Sequence, residues 1–237
     1  MTVLHRPRPC GRHRLPAAMR VIRRLLPLAG CGLPAAVLGD PAVADWVRAH
    51  GVTVYAGDST EMDLAGWCRV PVAQVVLRCG GAAEPIREAV AAGVQRFVVS
   101  TGQQAGVLVS CAPPGTLVHV DHGCPAVPDE GGLDVIGLHS DVGGCAPVDW
   151  GTAAGQLLGR IAQMRSGGPP LTRISLTGGP TAAWIDGDKS ELGAIATAVD
   201  EAIDEGCARW RVPRPSVTFV PSGSAPEVRT SWTPTPR

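Results

Sequence analysis

The stretch VIGLHSDVGG, residues 135–144, runs from apolar residues into a histidine, an aspartate and paired glycines. His139 and Asp141 are two apart, so on a strand both point to the same side. Such a pair can act as an acid–base couple, as half of a metal site or as part of a cofactor pocket. More donors lie nearby: His119, Asp121, His122 and Cys124 precede it and Cys145 follows. Imidazole, carboxylate and thiolate together suit zinc or iron, which makes His119, His122, His139 and Asp141 candidate metal ligands. None of the spacings is a zinc signature, and each residue can equally cap a strand or bond a loop.

A second pattern is GCGLPA, Gly30 to Ala35, which matches GxGxxG/A and has Asp58 downstream. A dinucleotide site of this type needs a strand before the motif and a helix opening within it. The preceding RRLLPLA is broken by Pro27, and Pro34 to Gly39 itself reads as a strand. With 30 glycines in the chain, chance matches are cheap, so a Rossmann-type nucleotide binder is the least favoured reading.

The elements that must position these residues alternate along the chain. Short apolar runs at 34–39, 52–56, 73–79, 95–100, 115–121, 133–140, 172–179 and 215–223 read as strands. Helical patterns cover 40–51, 58–67, 82–93, 150–168 and 189–206. Asp40, Pro41 and Gly51 give the first helix an N-cap, an N1 proline and a C-terminal stop. Strands separated by helices of this length build βαβ units and a parallel sheet. Eight strands with five or six helices favour an α/β fold, a (β/α)8 TIM-type barrel, incomplete by one helix. The gap lies at HGCPAVPDEGG, too short and too rich in proline and glycine for a crossover helix.

The 237 residues are 45% apolar but only 4% aromatic, which suits a sheet of valines under alanine-rich helices. Twenty-one acids balance 21 bases, so no global field favours nucleic acid or anionic lipid. The eight cysteines show no CxxC pair, consistent with thiols in a reducing cytoplasm. Residues 1–24 carry seven arginines and no acid and read as a disordered basic arm. The barrel then covers 25–228 and a tail 229–237. The box before Cys31 resembles a lipoprotein cleavage site, but its apolar run is too short for a signal peptide. No stretch approaches the length of a membrane span.

Taken in order, AVLGDPAVADWVRAHGV, GDSTEMDLA, AVAAGVQRFVVS, VIGLHSDVGG, ISLTGGP and FVPSGSAP resemble the barrel of fold-type III pyridoxal-phosphate decarboxylases. That family acts on diaminopimelate, ornithine or arginine, and its barrel is related to alanine racemase. The likeness is strongest to bacterial diaminopimelate decarboxylase and spans residues 33–228. It implies a PLP-binding barrel and, for an active member, a carboxy-lyase.

Carried over residue by residue, the resemblance puts the family's Schiff-base lysine on Leu38, which cannot form an imine. Asp141 stands for the histidine that stacks on the pyridine ring, and Gly144, beside Gly143, for a phosphate-binding serine. In LTGGP, Gly178 and Gly179 keep the phosphate turn while Thr177 replaces its first glycine. In VPSGS, Val220 replaces the acid that protonates the pyridine nitrogen, and Gly223, beside Ser222, replaces an arginine. Glu61 matches a retained glutamate. Lys189, the only lysine, is the one residue able to substitute in an imine, although it opens a charged helix start in DGDKSE. The family's C-terminal β-domain is expected to be absent.

The reading that follows is a decarboxylase-like barrel that has lost Schiff-base chemistry, a pseudoenzyme. It would bind a small amino acid or a phosphate-like anion, or pair with a second copy or a partner barrel. Two alternatives stay open: an active decarboxylase- or racemase-type lyase with an altered site, and a metal-dependent enzyme using His139 and Asp141.

Overall fold

A computed structural model describes residues 13–124, 132–165 and 171–222. Eight parallel strands close into a barrel in sequence order: β1 (Gly30–Pro34), β2 (Thr53–Ala56), β3 (Val75–Arg78), β4 (Arg96–Val99), β5 (Thr116–Asp121), β6 (Leu133–Asp141), β7 (Arg173–Pro180) and β8 (Ser216–Ser222). The seam is shut by β1 against β8, with Gly30 opposite Thr218 and Cys31 opposite Phe219.

Around the barrel stand α1 (Leu15–Leu25), α2 (Pro41–His50), α3 (Ser59–Trp67), α4 (Glu84–Ala91), α5 (Gly102–Cys111), α6 (Pro147–Met164), α7 (Thr181–Asp186) and α8 (Lys189–Trp210). Among the described residues no helix lies between β5 and β6, the place where the sequence lacks one. No helix of the described residues is long and apolar enough to cross a membrane.

Local chemistry explains the helix starts. Asp40 accepts the Ala42 N–H at 2.8 Å and Pro41 sets the first turn, while Gly51 ends α2 in the left-handed region at φ 63°. Thr101 and Gln104 form a capping box on α5, and the Gln104 amide also donates to the carbonyls of Cys79 and Gly80. Asp188 accepts from Ser190 and Glu191 at the start of α8.

The main core lies between strands and helices, where Phe219 of β8 sits 5.7 Å from Trp150 and 6.0 Å from Trp184, ring centre to ring centre. A second, small core of Tyr55, Val76, Val98 and Val220 fills the barrel lumen. A Cβ on Gly32 would lie 2.4 Å from the Tyr55 ring, so the bare backbone of β1 is what admits that aromatic.

Three expectations are corrected. The first strand is Gly30–Pro34 rather than 34–39; Ala35–Gly39 is a 3-10 turn with Leu38 buried in it. The GCGLP glycines are therefore in the strand itself, and a Rossmann phosphate turn is excluded by this geometry and by the closed barrel. The basic segment is not an arm throughout: Leu15, Ala18, Met19 and Ile22 line the buried face of α1, which leaves Arg20, Arg23 and Arg24 outward. Residues 1–12 lie outside the described residues.

Candidate functional site

Alternation along the strands turns Tyr55, Arg78, His119, Asp121, His139, Asp141 and Ser175 to the lumen side. Contacts across the barrel fix that side: the Tyr55 hydroxyl on β2 lies 3.4 Å from the Ser175 hydroxyl on β7. Higher up, Arg78 at the end of β3 donates to both carboxylate oxygens of Asp141 on β6, at 2.8 and 2.6 Å. Both bonds come from Nη2, so the carboxylate straddles one guanidinium nitrogen in a charge-assisted contact.

Below Asp141 sits His139, 0% exposed, its Nε2 3.6 Å from Asp141 Oδ1. That distance is long for a hydrogen bond but short for a charge interaction. Neither ring nitrogen of His139 has a hydrogen-bond partner. The neighbouring strand contributes Asp121, opposite His139 in register, with its Oδ1 accepting from Gly123 N–H at 2.9 Å. Donor atoms of Asp121, His139 and Asp141 all lie within 4.8 Å of one another. The Asp141 carboxyl is held below its ordinary range by His139 first and then by the Arg78 charge, against the opposing effect of burial.

One layer down, His119 is buried and its pKa driven down to about 3, chiefly by desolvation, with His139, Arg173 and Arg96 nearby adding to it. It is not part of the Asp121–His139–Asp141 group. His122 is also outside that group; Arg160 reaches over to the carbonyls of His122 and Cys124 and ties down the loop after β5. Of the four expected metal ligands, the fold therefore gathers His139 and Asp141 and adds Asp121 in place of His119 and His122.

The remaining expected site residues have other employment. Glu61 accepts the Gly57 N–H at 2.7 Å and completes the cap of α3. Lys189 is exposed in the first turn of α8. Leu38, four residues past the end of β1, is not at a strand end. Gly223 lies outside the described residues. Arg78 was not singled out in the sequence, although its place two residues after lumen-facing Val76 at a strand end carries that signal.

No protein-family model and no curated protein matches the sequence. Solved structures do. Lysine/ornithine decarboxylase from Vibrio vulnificus, complexed with putrescine, superposes with a TM-score of 0.67 at 18% identity over 87% of this chain. Diaminopimelate decarboxylase from M. jannaschii, in complex with L-lysine, gives 0.67 at 11% identity over 88%. Arginine decarboxylase from Paramecium bursaria Chlorella virus, bound to agmatine, gives 0.65 at 14% identity over 88%. The fold is that of the decarboxylase barrel. The chain spans 60%, 58% and 63% of the length of those three structures.

The groups present do not fit pyridoxal phosphate. A Cβ on Gly178 would lie 2.7 Å from Val142 Cβ, and one on Gly179 3.4 Å from the Trp150 ring, so the glycine turn already packs against side chains. Ser222 Oγ donates to the Gly179 carbonyl at 2.7 Å. Gly143 has open space, but at Gly144 a Cβ would meet the Asp149 carboxylate at 2.0 Å, and a carboxylate there repels a phosphate dianion. Val220 is 1% exposed in the lumen core, where no acid can meet a pyridine nitrogen.

Proposed function

We propose that this decarboxylase-type barrel binds a small amino acid or carboxylate at its mouth without Schiff-base chemistry. The observation that carries the reading is Arg78 paired with Asp141 across the barrel mouth. A guanidinium fork recognises a carboxylate, and Asp121 with Asp141 offers negative charge to an ammonium group. An entering zwitterion exchanges the Arg78–Asp141 pair for two pairs of its own, so little charge is left uncompensated. The similar structures hold L-lysine, putrescine or agmatine, cationic ligands of related chemistry.

Two measurements on the purified chain test this. Calorimetric titration with lysine, ornithine, arginine and diaminopimelate is expected to show saturable binding to at least one, lost in Arg78→Ala. Incubation with pyridoxal phosphate is expected to give no imine absorbance. A stoichiometric imine that disappears in Lys189→Ala would restore the active lyase reading.

A further inference from the structure

The lumen holds a buried histidine whose surroundings leave it incomplete. His139 is fully enclosed with no hydrogen bond to either ring nitrogen, and the Asp141 carboxylate 3.6 Å from Nε2 offsets the cost of that burial only in part. Its Nε2 faces the side where two carboxylates converge: Asp141, one pleat further along β6, and Asp121, its register partner on β5.

We propose that Asp121, His139 and Asp141 bind a divalent first-row transition cation of the manganese, iron or zinc class. One imidazole and two carboxylates suit such ions better than calcium or magnesium, which take oxygen alone. Metal–donor bonds of about 2.0–2.2 Å need donors closer together than the 4.8 Å limit within which these atoms lie. The closure falls to the two aspartates, since Asp141 is exposed and Asp121 half-buried, whereas His139 is fixed.

The surroundings hold the carboxylates as outer ligands do in metal sites. Gly123 N–H fixes Oδ1 of Asp121 and leaves Oδ2 free to turn inward. Arg78 bonds both oxygens of Asp141, yet each oxygen keeps a second lone pair, and partners of this kind orient a ligating carboxylate. Three protein ligands leave coordination positions open towards the mouth, where water or an incoming carboxylate can complete the shell. The site shares Asp121 and Asp141 with the ammonium contact of the proposed amino-acid binding, so cation and ammonium compete there, but the ion is held by the protein whether or not a ligand enters.

Cobalt(II) is the probe, titrated into the full-length chain after treatment with chelator. Visible d–d bands are expected to saturate at one cobalt per chain, without the strong near-ultraviolet absorption of thiolate ligation. Asp121→Asn and His139→Asn are each expected to weaken binding about tenfold or more. Asp121→Asn carries the test by itself if the buried His139 variant does not fold, with circular dichroism as the check on folding. The proposal is overturned if no saturable band forms, if Asp121→Asn binds as tightly as the wild type, or if thiolate absorption assigns the ion to cysteines. Loss of amino-acid binding with cobalt binding intact would leave this site standing and remove only the ligand reading.

Discussion

Arg78 on β3 and Asp141 on β6 reach towards each other across the barrel mouth and meet as a two-pronged ion pair. Their side chains are 36% and 56% exposed, so the pair is wet and contributes little to stability. Arg78→Ala is therefore expected to move the urea midpoint by the equivalent of under about 1 kcal/mol while abolishing ligand binding.

The Asp141 carboxyl sits below its ordinary range. A depressed carboxyl adds stability that is fully present above its unfolded value, near pH 3.9, and is lost as pH falls through its lower folded value. Asp141→Asn is expected to flatten the acid limb of a stability–pH profile below about pH 4, and the profile near neutrality is expected to keep its shape. An identical acid limb in the variant would contradict the assignment.

His119 gives a slope of the same sign in a higher pH window. Buried neutral down to about 3, it takes no proton while the unfolded chain gains one below its ordinary value. Stability from this residue is full above about pH 6.5 and falls on acidification by about 1.4 kcal/mol per pH unit. Between about pH 6.5 and 5 the wild type is expected to lose about 2 kcal/mol more than His119→Asn, read by urea denaturation.

Gly32→Ala is expected to destabilise the barrel by about 1–3 kcal/mol, because its methyl group would enter the Tyr55 ring. Tyr55→Leu in the same chain is expected to recover part of that loss. A double-mutant cycle showing additive effects would place Tyr55 elsewhere.

Thiol reactivity separates the cysteines. Burial pushes the Cys79 thiol up to about 12, so it carries almost no thiolate at neutral pH, whereas Cys145 is exposed. Alkylation followed by peptide mass spectrometry is expected to find Cys145 modified in the native protein and Cys79 only after unfolding.

Much of this architecture was legible in the residues, for local reasons. Asp40, Pro41 and Gly51 define α2 by capping chemistry alone, and the period-two spacing of His139 and Asp141 puts them on one face. Where the reading failed, a competing signal won. The arginines of residues 1–24 masked the buried spacing of Leu15, Ala18, Met19 and Ile22 in α1. Thr101 and Gln104 spelled a capping box, yet glycines around them hid α5. β1 was displaced because Gly30 and Gly32 are poor strand formers in isolation, and their reason is the Tyr55 ring from another strand. The Arg78–Asp141 pair depends on barrel closure, since 63 residues separate its members, so no local pattern contains it.

The β1–β8 seam has a kinetic consequence. Every other strand pairs with its neighbour in sequence, so the wall can grow by successive short closures, but Gly30 meets Thr218 only after the whole intervening chain is in place. That junction carries the largest loop-closure entropy in the molecule and so shuts late. α1 lies beside it, bonded through Arg14 N–H to the Ile185 carbonyl at 2.6 Å, and acts as the clasp that joins the first part of the barrel to the last.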